Sequence, residues 1–186
     1  MNLNFKFKIL NLKLPKGFTL IEMIIYVALV TTVISVIVGF AFWAIQVGSK
    51  VKINYEVTDN TRRAMETVVF EIKKSKGIYA PTAVFDASPG QISLEQIATT
   101  TPGEVVTFVD FFKCADSLCL KREGQDPVKI TTAQVKIVNL SFSQLLNSTT
   151  TPSVQINLQV DSASSSSRPE YFSSINLTAT AALRAY

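Results

Sequence analysis

A chain of 186 residues has room for one membrane segment and one modest domain with its own core. It contains no histidine, which excludes a Ser-His-Asp triad, a Cys-His pair and any histidine-built metal site. The net charge of +4 suggests nucleic acid or a membrane surface only until its distribution is read. Lys6, Lys8, Lys13 and Lys16 fall within residues 1–17 alongside no acid, which leaves 14 basic against 14 acidic residues beyond them. So balanced a remainder predicts no nucleic-acid binding by the isolated domain.

Residues 1–17 read as a basic leader, and Pro15 and Gly17 keep its end extended because both resist helix. From Phe18 to Ser49 the chain is apolar apart from Glu22 and a few small polar residues: Thr31, Thr32, Ser35 and Gln46. The uncharged run Met23–Ser49 has 27 residues, roughly 40 Å as a helix, which spans a bilayer with some tilt. Lipid leaves helix as the only conformation that satisfies the backbone of a single segment. A basic leader in front of such a run is held cytoplasmic by the positive-inside effect. Glu22 is the costly residue, because a lipid-facing carboxylate is unfavourable by up to a few kcal/mol and is usually functional. Thr19-Leu20-Ile21-Glu22 is also a capping box, which occurs at ordinary helix starts.

Beyond Lys50 the pattern turns amphipathic, with Val57, Thr61, Ala64/Met65, Val68 and Ile72 spaced at three and four. Asp59, Arg62, Arg63, Glu66, Lys73 and Lys74 take the other face. Lys73, Lys74 and Lys76 suit a helix C-terminus, and Gly77 is the expected residue just past it. One helix from Phe18 to about Lys76 is predicted, with Gly39 and Gly48 as its weak points.

From Ile78 onwards the period becomes two. Val154–Asp161 and Ile175–Arg184 alternate as half-buried antiparallel strands, and Val105–Phe112, Leu118–Glu123, Val128–Thr131 and Val135–Phe142 are further candidates. Small polar stretches at Ala98–Gly103, Asn147–Pro152 and Ser162–Ser167 read as loops. Phe108, Phe111, Phe112, Phe142, Tyr171 and Phe172 are expected in the core or at a helix–sheet interface. Cys114 and Cys119 sit on a short hairpin expected to bring the thiols opposite each other. An oxidising compartment would favour a disulfide worth about 2 kcal/mol, mostly local rigidity; the alternative is two partly buried free thiols. Asp86, Glu95, Glu104, Asp110, Asp116 and Asp126 form no recognisable motif, and no Gly-rich phosphate loop is present. The expectation is a chain that is not an enzyme, with no cofactor and no metal.

Lys16-Gly17-Phe18-Thr19-Leu20-Ile21-Glu22, after a basic leader and before a long uncharged run, resembles the processing site of type IV pilins and of the related pseudopilins of type II secretion and DNA-uptake machines. The resemblance is specific over about Lys16–Gln46. It implies cleavage between Gly17 and Phe18 by the prepilin peptidase, N-methylation of Phe18, and an assembly role for Glu22 opposite a neighbouring subunit's N-terminal amine. It implies a lollipop-like α+β fold: a transmembrane-to-amphipathic helix packed on an antiparallel β-sheet head. The implied domains are a leader at 1–17, a transmembrane and assembly helix at 18–49, its amphipathic continuation at 50–77 and a β-rich head at 78–186. The implied partners are other subunits, the peptidase, an inner-membrane assembly platform and membrane lipid. The location would be the cytoplasmic membrane, single-pass with the head outside, and then a pilus or pseudopilus. Cysteines only five apart and no acidic cluster near the C-terminus depart from major pilins and from a calcium loop, and favour a minor subunit. The competing readings are a secretory signal cut near Gly39-Phe40-Ala41 and a plain anchor. Either would display a β-rich adhesin or binding module whose hydrophobic segment is only signal or anchor.

Overall fold

The computed structural model describes residues 17–97, 106–145, 152–164 and 168–183. Lys6, Lys8, Lys13 and Lys16, and the loops expected at Ala98–Gly103 and over most of Asn147–Pro152, lie outside the described residues. The chain divides into two compact units, Met1–Ala44 and Ile45–Tyr186.

Helix α1 runs from Leu20 to Lys74, two residues inside the expected limit at each end. Within the first unit its side chains are almost all exposed, and none of its most apolar 18-residue window is buried. The helix is continuous through Gly39 and Gly48. Its hydroxyls ask nothing of the surroundings: Thr31 donates to the Val27 carbonyl at 2.6 Å, Thr32 to Ala28 at 2.8 Å and Ser35 to Thr31 at 2.8 Å. Each polar group one turn ahead of a carbonyl is thereby satisfied within the helix, as hydrocarbon demands.

In the second unit α1 buries Val57, Thr61, Ala64, Met65, Val68, Glu71 and Ile72, the three-and-four-spaced face together with one carboxylate. The strands are β1 (Gly77–Ile78), β2 (Gln91–Ile97), β3 (Val106–Cys114), β4 (Ser117–Arg122), β5 (Val128–Lys129), β6 (Val135–Leu145), β7 (Ser153–Ser162) and β8 (Ser174–Ala182), with a short 3-10 turn at Pro169–Tyr171 before β8. They form two antiparallel sheets rather than one, β1-β2-β3-β4-β5 and β6-β7-β8. The α+β layout is therefore a long apolar helix with antiparallel sheets. Ile92, Leu94, Val109, Phe111 and Leu118 from the first sheet join Ile137, Leu140, Phe142, Ile156, Leu158 and Val160 from the second in one core with the helix face. Of the aromatics expected inside, Phe111 and Phe142 are fully buried, whereas Phe172 is largely exposed beside the 3-10 turn.

Two local expectations are corrected and one strand is added. Gly77 does not cap the helix. It opens β1 opposite Glu95, and the helix ends instead where Ser75 turns its hydroxyl back onto the Glu71 carbonyl. The segment Gln91–Ile97 is a strand, paired to β3 along its whole length. Cys114 and Cys119 are disulfide-bonded but not directly opposed. Cys119 faces Phe112 across the ladder and Cys114 faces Ser117, so the bond runs diagonally. It closes the β3–β4 hairpin next to a tight turn in which Ala115 holds φ +53°. That turn is anchored: the Asp116 carbonyl accepts the Ile137 N–H at 2.8 Å. The disulfide thus stiffens the piece of the first sheet that is tied to β6.

Glu71 is the core's polar exception. Its side chain is 5 % exposed, yet it accepts from Arg122 Nη2 at 2.6 Å and from Gln96 Nε2 at 2.7 Å. Both carboxylate oxygens are used, and both partners sit on the helix-facing side of the first sheet. Such a pair fixes how helix and sheet meet more than it adds net stability.

Two measurements check this architecture. Glu71→Ala should destabilise the protein by roughly 1–2 kcal/mol in denaturant unfolding, because Gln96 loses its short bond to the buried carboxylate and half-exposed Arg122 its ion-pair partner. Replacing Glu71 and Arg122 together by leucine should recover most of that loss. Reduction of Cys114–Cys119 should cost about 2 kcal/mol and speed amide exchange at Ile137 before the β7 amides.

Candidate functional site

The stretch from Gly17 to Tyr26 carries the chemistry that the rest of the first unit lacks. Gly17, Phe18 and Thr19 precede the helix in non-helical conformation. Thr19 acts as the N-cap: its hydroxyl accepts the Glu22 N–H at 3.3 Å, and its carbonyl accepts the Met23 N–H at 3.2 Å. This satisfies one of the helix's orphan donors and places Glu22 in the first turn, where the helix dipole favours its charge.

Phe18 is 69 % exposed, and its ring meets Tyr26 edge-on with centroids 6.3 Å apart. The Gly17–Phe18 peptide therefore lies just outside a capped helix, in non-helical chain.

Gly17 has no structural need to be glycine. A Cβ built there meets nothing within 4 Å, and its φ is not in the left-handed region. Gly90 is the contrast, since a Cβ there would come within 3.1 Å of the Ala87 carbonyl and 3.2 Å of Phe142. The chain's own packing accounts for Gly90 and leaves Gly17 unaccounted for.

Glu22 is similarly unexplained by the fold. It is half-buried by its neighbours on the helix, and among the described residues it has no ion-pair partner. Beyond the Thr19 cap, the hydroxyls of Thr31, Thr32, Ser35 and Ser49 are closed onto backbone carbonyls one turn back. A carboxylate cannot do that, since it has no proton to donate. Glu22 is thus the one acidic acceptor in an uncovered apolar helix. Cys114 and Cys119 belong to the second unit and are joined to each other there.

Sequence reasoning missed Glu71, which the amphipathic pattern passes over. The signal available was a carboxylate on the apolar side of the three-and-four repeat, at Val68 plus three. Its oxygens are spent on Arg122 and Gln96, so it works within the fold.

Residues 13–38 match the family described as the prokaryotic N-terminal methylation motif, and the remainder of the chain lies outside that match. No curated protein and no solved structure matches the chain significantly. The matched segment contains the non-helical Gly17–Phe18 peptide, the Thr19 cap, Glu22 and the helix from Leu20 to Val38. The chain carries this motif at the head of a long apolar helix, and that supports placing it in a type IV pilin-like family.

Proposed function

We propose that this protein is a structural subunit, made as a precursor and cut between Gly17 and Phe18. The observation that carries the reading is Gly17 itself: a glycine with open space around it, two residues before the N-cap Thr19 and within the matched motif. Gly39 and Gly48 are equally uncrowded, but they lie inside the helix; Gly17 lies before it, where a protease that accepts no side chain would require glycine.

Cleavage there leaves Phe18 as the new N-terminus, and the matched motif supports methylation of its amine. The amine then precedes Glu22 by four residues. In a filament, Glu22 takes the N-terminal amine of the neighbouring subunit as the partner it lacks in its own chain. The pair sets register, because either charge left alone in an apolar bundle is expensive. Most of the cohesion comes from packing the helices, since hydrocarbon offers no hydrophobic drive between them.

The finer reading is of a minor subunit of a type IV pilus, type II secretion or DNA-uptake filament. It waits as a single-pass protein of the cytoplasmic membrane, with residues 78–186 outside as the head and 50–77 as the helix's continuation. The prepilin peptidase, an assembly platform and other subunits are its partners. The short Cys114–Cys119 spacing favours a minor position over a major one.

Mass spectrometry of the N-terminal peptide from native membranes tests the processing. A methylated Phe18 terminus is expected, and Gly17→Val should leave the precursor uncut. A terminus near Phe42 would mean an ordinary signal peptide, and an intact Met1 a plain anchor; either overturns the proposal. Glu22→Ala should remain stable in the membrane while its incorporation into sheared filaments falls. Stranding one charge of such a pair costs about 3 kcal/mol, or roughly a hundredfold. Unchanged incorporation would remove Glu22 from the mechanism.

A further inference from the structure

We propose that the outer edge of β8 is a docking edge for an extended, uncharged strand of another polypeptide, which joins β6-β7-β8 as a fourth strand. This edge belongs to the second unit, and its chemistry does not depend on the motif at residues 13–38.

The hydrogen-bond parity of β8 fixes which groups are free. The Ser162 N–H donates to the Ser173 carbonyl, and the Leu183 N–H donates to the Pro152 carbonyl. The pairing between these points has no register shift. Odd-numbered residues of β8 therefore turn their backbone groups towards β7. Ser174, Asn176, Thr178, Thr180 and Ala182 turn theirs the other way, and among the described residues those groups meet no partner. Their N–H and C=O groups repeat every second residue, about 6.8 Å, a spacing matched by extended backbone.

Sheets normally guard such an edge with charge, proline, a bulge or cover. The other edge of this sheet is covered: Leu140 and Phe142 carbonyls on β6 accept the Gly90 and Asp86 N–H groups, and the Ile137 N–H is taken by Asp116. Ser-Ile-Asn-Leu-Thr-Ala-Thr-Ala-Ala of β8 has no charge and no proline over nine residues.

The flanking side chains define the partner. On the core side Ile175 and Leu177 are half-buried, while Ala179 is small, so the shoulder beside them accepts apolar side chains and rejects charge. On the other face Asn176, Thr178 and Thr180 lie exposed. The nearest carboxylate in the ladder, Asp161, already accepts from the Ser174 hydroxyl at 2.6 Å. A strand with alternating apolar and neutral polar residues fits both faces. Backbone bonds would supply its affinity, and the shoulder its selectivity.

Amide hydrogen exchange on the full chain in detergent tests this, with a synthetic nonapeptide of the β8 sequence as probe. Without peptide, the amides of Asn176, Thr178 and Thr180 should exchange quickly while those of Ile175, Leu177 and Ala179 are protected. Peptide at tenfold its dissociation constant should slow the even-numbered amides by about tenfold. Thr178→Pro should abolish that response yet unfold at nearly the wild-type midpoint, because the lost N–H faces away from β7. Ala179→Pro, whose N–H faces β7, should lower the midpoint clearly. If Thr178→Pro proves unstable, a peptide N-methylated at alternate residues carries the same test on the wild-type chain. Even-numbered amides already protected without peptide in dilute protein would overturn the proposal. So would peptide binding that survives both the proline and the N-methylated control.

Discussion

The constraint behind the first unit is that a helix with no protein around it must satisfy every polar group by itself or leave the remainder to its surroundings. Between Leu20 and Ala44 the backbone is closed by the helix, and Thr31, Thr32 and Ser35 are closed onto carbonyls one turn back. Only a carboxylate cannot be handled this way, and only one is present. Its placement next to the capped end limits the cost in lipid, since the dipole and the interface both favour charge there. It also leaves Glu22 next to the peptide whose cleavage would generate an amine. The arrangement tolerates a membrane while remaining incomplete in it, which is what an assembly intermediate requires.

The second unit solves a different problem with the same helix. Its buried face supplies small and branched residues, Val57, Ala64, Val68 and Ile72, to a core shared with both sheets. Apolar contact of this kind is tolerant of sliding, since one leucine or isoleucine serves nearly as well as the next. Glu71 removes that freedom. With both oxygens engaged by Arg122 and Gln96, a shift of one turn would bury a charge without partners. The diagonal disulfide does comparable work between the sheets, by holding the hairpin whose Asp116 carbonyl reaches β6.

The long helix and its buried face were legible because a period of three and four is carried by many residues at once. The edges of the elements were not. Gly77 has the composition of a helix stop, but Ser75 ends the helix locally and Gly77 is recruited by Glu95 on β2, a tertiary contact that no local pattern announces. Strand β2 was missed for a related reason. Its inward positions are Ile92, Leu94 and Gln96, and the glutamine breaks the alternation because its function is to meet Glu71. Its outward Ser93 is buried as well, bonded to the Thr82 hydroxyl at 2.7 Å. A strand covered on both faces and polar at one inward site looks like a loop. The division into two sheets rests on pairings between residues far apart in sequence, and alternation alone cannot distinguish one sheet from two.

What the fold does not explain is as informative as what it does. Gly90 is glycine because backbone and a phenylalanine ring crowd it, and Ser75 is serine because the helix end needs a donor there. Those residues are answered from inside. Gly17 is answered by nothing within 4 Å, Glu22 by no recorded ion pair, and the even-numbered backbone groups of β8 by no described neighbour. A chain under selection only to fold would replace a free glycine, neutralise an unpaired carboxylate and guard a bare edge, since each change would add stability. Demands made from outside the chain, as proposed above, would account for all three. Two of these features sit five residues from one another within a matched motif, while the third lies on a strand far from it in sequence. On the proposed readings they belong to different contacts: one made by the N-terminal end of the helix, the other by the head alone.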